Sequence, residues 1–177
     1  AVLSALVAVR FGATPEMLLA LGITWALLAL AMIDFDTTYL PDSITLPLLW
    51  AALVASLWGG QVTHEVLALS PASAIIGAAI GYLSLWSVYV AFKVFTGKEG
   101  MGFGDFKLLS ALGAWLGWTA LPIIVMLSAV VGATVGIALI ASKRLSRDKP
   151  MPFGPFLAAA GWLAMLYSEQ LTGLYLR

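Results

Sequence analysis

The run Leu108–Ser142 contains 35 residues without a single Asp, Glu, Lys or Arg. As one helix rising 1.5 Å per residue it would reach roughly 52 Å, far more than the ~30 Å hydrocarbon core of a bilayer. It must therefore turn back, and Gly117-Trp118-Thr119-Ala120-Leu121-Pro122 is the expected break. The first piece, Phe106–Leu116, is short for a full span and is expected to be tilted or partly re-entrant. Four other uncharged runs are Met17–Ile33, Ser43–His64, Val66–Phe92 and Pro150–Ser168. A spanning helix needs about 20 such residues. Seven helical segments are expected, at 1–9, 15–35, 42–59, 68–95, 105–117, 119–142 and 154–169. The alternation of a membrane β-barrel is absent. The expected fold is an all-α polytopic membrane helix bundle of about six to seven transmembrane segments, with 1–177 as one membrane-embedded unit.

Composition narrows the chemistry. Hydrophobic residues make up 62% of the 177 and charged residues 10%. Soluble domains run about 45–50% and about 25%, so a water-soluble enzyme is excluded. Nine basic residues balance nine acidic ones, which argues against a nucleic-acid partner. Cysteine is absent and His64 is the single histidine. Thiol nucleophiles, disulfides, thiolate metal sites and a histidine metal site are thereby excluded. Carboxylates are the remaining strong acid–base groups.

Lys and Arg set the expected orientation. Alternating the loops puts 95–105 and 143–153 on one side, with Lys93, Lys98, Lys107, Lys143, Arg144, Arg147 and Lys149; the other side holds Arg10 and Arg177. The first side is thus expected to be cytoplasmic, together with loop 34–41. Acidic residues gather there too: Asp34, Asp36, Asp42, Glu99, Asp105 and Asp148.

Two of these stand at membrane boundaries. Asp34 closes an apolar helix, and Asp105 follows Gly102-Phe103-Gly104 and opens the next apolar run. Ionisable groups at membrane depth are costly and point to function by default. Two close carboxylates resist joint ionisation and share one proton. The ionised one can take a proton from water while the other donates to a carbonyl oxygen. Gly102 and Gly104 would allow close backbone approach. The bland alternatives are that Asp105 is a helix N-cap and that Asp34 only marks the interface. Asp42 reads as a first-turn residue after Pro41. Asp36, two residues from Asp34, faces elsewhere on a helix and is not expected to be catalytic. Lys98, Glu99 and Lys107 bracket Asp105, either tuning the pair or docking substrate, or as ordinary positive-inside flanks. Gly77/Gly81, Gly113/Gly117 and Gly132/Gly136 have the spacing of close helix packing within one chain. Trp58 and Trp118 suit an interfacial belt.

The stretch from Ile33 to Trp50, with its Asp34-Phe35-Asp36 and Leu40-Pro41-Asp42, resembles the first aspartate motif of the type IV prepilin peptidases. Gly97 to Leu109, with Gly102-Phe103-Gly104-Asp105, is similar to their Gly-x-Gly-Asp motif. Further matches are Gly81–Ser87 and Pro152-Phe153-Gly154-Pro155-Phe156. The resemblance implies a multi-pass aspartic endopeptidase of the bacterial inner membrane, with Asp34 and Asp105 as the catalytic pair facing the cytoplasm. It implies prepilins and type II secretion pseudopilins as substrates, cut after Gly, and neither cofactor nor metal for that step. Substrate-binding or supporting roles are expected for Gly102, Gly104, Asp36, Asp42, Lys98, Glu99 and Lys107. A basic leader would be drawn to Glu99, Asp36 or Asp42. Family members usually carry an N-terminal segment with two Cys-x-x-Cys pairs, tied to zinc and to N-methylation. This chain has no Cys and is expected to be the core of something longer, so methyltransferase activity is not carried over. The rivals are another Gly-x-Gly-Asp intramembrane protease, whose first motif would read Tyr-Asp where this chain has Ile33-Asp34, a small carboxylate-dependent transporter, and a scaffold needing a further segment.

Overall fold

The computed structural model describes residues 1–58, 70–97, 101–142 and 152–175. Within them lie α1 (Val2–Phe11), α2 (Pro15–Thr37), α3 (Asp42–Ser56), α4 (Pro71–Thr96), α5 (Phe103–Leu116), α6 (Leu121–Ala141) and α7 (Gly154–Tyr175). No strand occurs among the described residues. The protein is an all-α helix bundle, as its uncharged runs require. Among the described residues three segments are long and apolar enough to cross a membrane: Pro15–Thr37, Pro71–Thr96 and Trp118–Leu139.

Local chemistry sets the ends. Thr14 accepts a hydrogen bond from the Met17 N–H and Pro15 opens α2. Ser70 and Pro71 repeat the device at α4. An N-cap hydroxyl satisfies one orphan amide, and proline at the first helical position loses no hydrogen bond. The 35-residue run breaks where expected. α5 stops at Leu116, Gly117 takes φ 79°, and one 3-10 turn, Trp118–Ala120, leads into α6. Only glycine adopts that backbone without strain. α7 is interrupted by non-helical angles at Tyr167.

α5 is the axis of the bundle, packed by α3, α4 and α7. Its residues from Leu108 to Leu116 are all buried. A helix that is apolar all round must be enclosed on every side, and this one is. At 14 residues it is also about 21 Å long, too short to cross the core alone. α4 meets α5 at backbone distance. A Cβ on Gly77 would strike the Gly113 carbonyl, and one on Gly81 would lie 2.6 Å from the Leu109 carbonyl oxygen. The glycine spacing thus packs one helix of the chain on another.

Buried polar groups are paired across helices. Trp115 Nε1 donates to the Leu48 carbonyl at 3.0 Å, Ser110 Oγ to the Ala78 carbonyl at 2.9 Å, and Trp162 Nε1 to Thr24 Oγ1 at 3.1 Å. Such pairing matters where no water reaches. The outward faces of α4 and α6 remain apolar and exposed, with Ile75, Leu83, Trp86, Met126, Val130 and Ile137. That is a lipid-facing surface rather than a misplaced core. Trp58 and Trp118 are half exposed near helix ends.

Candidate active site

Asp34 sits one turn before the end of α2, which closes at Thr38 in a left-handed conformation (φ 53°, ψ 33°). The chain then turns through Tyr39, Leu40 and Pro41 into α3. Asp105 lies in the first turn of α5. Gly102 holds the N-cap position and Phe103 the first helical one, so Asp105 is the third residue of the helix and not its cap. That position lets its carboxyl look back toward the Gly102 amide, half of a capping box.

Both aspartates line one cleft of about 440 Å³. Asp34 is 5% exposed and Asp105 6%. They are near enough for the charge of Asp34 to bear on Asp105. Asp34 Oδ2 accepts a hydrogen bond from the Gly154 N–H at 3.0 Å. Gly154 is the first residue of α7, so the positive end of that helix points at the Asp34 carboxylate. Asp105 Oδ1 is buried and has no hydrogen-bond partner among the described residues. A buried acceptor of that kind is expensive, and it is available to a water or a substrate group.

Leu40 is wedged between the two glycine-bearing helix starts. A Cβ on Gly104 would come within 2.6 Å of Leu40 Cβ, and one on Gly154 within 3.1 Å of Leu40 Cδ1. Gly104 therefore serves close approach of α5 to the α2–α3 turn. Gly102 is different. Its φ of −80° suits any residue, and a Cβ there would meet only Asp105 Oδ2 at 3.7 Å.

Asp42, the first residue of α3, and Lys107 also line the cleft. Lys107 Nζ reaches both carboxylate oxygens of Asp42 at 2.7 Å. Lys107 thus has a specific partner rather than merely flanking the membrane. Asp36 is exposed and does not line the cleft. Lys98 and Glu99 lie outside the described residues, as do His64 and Asp148. Sequence reasoning gave no role to Gly154 or Leu40. The one signal for Gly154 was its place in the Pro-Phe-Gly-Pro-Phe stretch. No cysteine is present, and no group of three His, Asp or Glu side chains comes together among the described residues. The residues present do not fit a thiolate zinc centre.

The type IV leader peptidase family matches residues 21–137, a span that includes both aspartates and the Asp42–Lys107 pair. The chain belongs to this family. Three similar proteins bear the name prepilin leader peptidase/N-methyltransferase. That of Aeromonas hydrophila is 54% identical over 99% of this chain and 58% of its own length. That of Pseudomonas putida is 50% identical over 97% of this chain and 57% of its own length. That of Pseudomonas aeruginosa is 49% identical over the whole chain and 59% of its own length. The chain thus spans about three-fifths of the curated relatives that it matches. No solved structure matches it significantly.

Proposed function

We propose that this chain carries the proteolytic site of a prepilin leader peptidase, with Asp34 and Asp105 as its catalytic pair. The observation that carries the reading is the pair itself: two buried carboxylates from distant segments lining one cleft, in a chain of the leader peptidase family. The names of its relatives support the same substrate class.

One carboxylate removes a proton from water, and the hydroxide adds to the scissile carbonyl carbon. The second carboxyl gives its proton to the carbonyl oxygen. The tetrahedral intermediate then collapses: the C–N bond breaks, the leaving amine takes the proton that the first carboxylate removed from water, and the second carboxylate recovers a proton from the intermediate's hydroxyl as the new carboxyl forms. No covalent enzyme adduct forms, and the pair returns to its single shared proton. The Gly154 amide, which donates to Asp34 Oδ2 at 3.0 Å, positions that carboxylate in the cleft. Asp105, whose Oδ1 has no hydrogen-bond partner among the described residues, suits the role of acid. The substrates are prepilins and pseudopilins cut after Gly, with their apolar helix held in the bilayer so that the junction lies extended in the cleft. Positive-inside counting supports a cleft facing the cytoplasm from a bacterial inner membrane.

The test is cleavage of a prepilin with a Gly-Phe or Gly-Met junction by the purified chain in lipid, beside Asp34→Asn and Asp105→Asn. Cleavage after Gly by the parent and by neither variant is expected. Retained cleavage in either folded variant would remove the shared-proton mechanism. Ion flux without proteolysis would favour the transporter instead.

A further inference from the structure

Lys107 is the one basic residue among the described residues lining the cleft, where it stands with Asp34, Asp42 and Asp105. Its ammonium shares the cleft with Asp105, whose Oδ1 is buried. Among the described residues Asp105 Oδ1 has no hydrogen-bond partner, and Lys107 Nζ is held by both oxygens of Asp42 at 2.7 Å. The bidentate contact joins residues 65 apart in the chain. It ties the start of α3 to the first turns of α5.

We propose that Asp42 is a positioning residue that holds the Lys107 ammonium off the aspartate pair, so that Asp34 and Asp105 keep one shared proton. The inference rests on the reading of Asp34 and Asp105 as the working pair. The physical reason is the sign of the charge. A free cation within about 4–6 Å favours the ionised form of a carboxyl by one to three pH units, and two ionised aspartates have no proton to donate. The Asp42–Lys107 pair, by contrast, is neutral as a unit. The charged groups lining the cleft are Asp34 from α2, Asp42 from α3, and Asp105 and Lys107 from α5, with the Tyr39 phenol from the α2–α3 turn. From α4 the relevant groups are Tyr89, whose ring packs at a tilt against Phe103 and Phe106, and Lys93, which donates to the Tyr89 hydroxyl at 3.2 Å. α7 contributes the uncharged Gly154 amide.

The test reads the pair directly, without substrate. Infrared titration of the chain in lipid follows the carboxylic-acid band that is lost in Asp105→Asn, with circular dichroism confirming that each variant is folded. Asp105→Glu, which should displace the band rather than remove it, gives a second assignment. In Asp42→Asn the band should vanish at a pH about one unit lower than in the parent. In Lys107→Met, which leaves Asp42 uncompensated, it should vanish at a higher pH. In the double variant Asp42→Asn/Lys107→Met it should return to the parent value. A tie that is merely structural would move both single variants in one direction, or neither, and either result would overturn the proposal. A parent that cleaves no prepilin counts against the functional reading alone, because the infrared shifts are scored independently of cleavage.

Discussion

The backbone N–H of Gly154 donates to Asp34 Oδ2 at 3.0 Å, across 120 residues of chain. The donor survives almost any substitution, but the space around it does not. A Cβ at position 154 would stand 2.7 Å from Asp34 Oδ2 and 3.1 Å from Leu40 Cδ1. Gly154→Ala should therefore push the carboxylate aside while keeping every charge. A displacement near 1 Å at a reacting group costs on the order of 10²-fold in rate. The expected result is a kcat for prepilin cleavage lowered by about that factor, with KM much less affected. A variant cleaving at the parent rate would show that the 154–34 contact does not position Asp34.

The two glycines before Asp105 should behave differently. Gly104 faces Leu40 with no room for a methyl group, whereas Gly102 has ordinary van der Waals space and ordinary angles. Overpacking a fitted contact costs about 1–3 kcal/mol. Thermal unfolding in lipid should show a lowered Tm for Gly104→Ala and an unchanged one for Gly102→Ala. Any loss of cleavage in Gly102→Ala should then appear in KM, from a substrate backbone that passes close by. Equal destabilisation of the two variants would contradict the packing at Leu40.

Asp36 separates position in the sequence from position in the site. It stands two residues from Asp34, yet it is exposed and outside the cleft. Removing a general acid or base costs about 10²–10⁴-fold. Asp34→Asn should lose at least the lower of those factors, whereas Asp36→Asn should stay within roughly three-fold of the parent, as surface changes do. If Asp36→Asn were as inactive as Asp34→Asn, the pair would have to be reassigned.

Much of this was legible in the sequence because lipid allows few solutions. Uncharged runs had to be helices, and a 35-residue run had to bend where Gly117 and Pro122 stand. Asp34 and Asp105 drew notice because a carboxylate at the edge of an apolar helix is costly. The misses share a different cause. The donor to Asp34 is a backbone amide, which no residue type advertises, and it comes from a helix 120 residues away. The partner of Lys107 is likewise distant, while lysines near membrane ends are so common that one more carries no signal. Asp105 read as a possible cap because it precedes an apolar run, whereas the helix begins two residues earlier, at Phe103.

The α4–α5 interface gives the sharpest stability contrast. Glycine inside a helix is normally a weakness, and Gly→Ala there gains about 0.5–1 kcal/mol when the methyl group has space. Gly22 in α2 has that space, since nothing lies within 4 Å of a Cβ built on it. Gly77 in α4 has none, because its Cβ would overlap the Gly113 carbonyl. Backbone cannot step aside as a side-chain tip can, so α4 would have to move off α5, the helix that carries Asp105. Gly22→Ala should raise Tm slightly or leave it unchanged. Gly77→Ala should lower it by the equivalent of about 1–3 kcal/mol and reduce cleavage in parallel. The two variants differ by the same single methyl group, so helix propensity cancels between them. If Gly77→Ala were as stable as Gly22→Ala, the close crossing of α4 on α5 would be wrong.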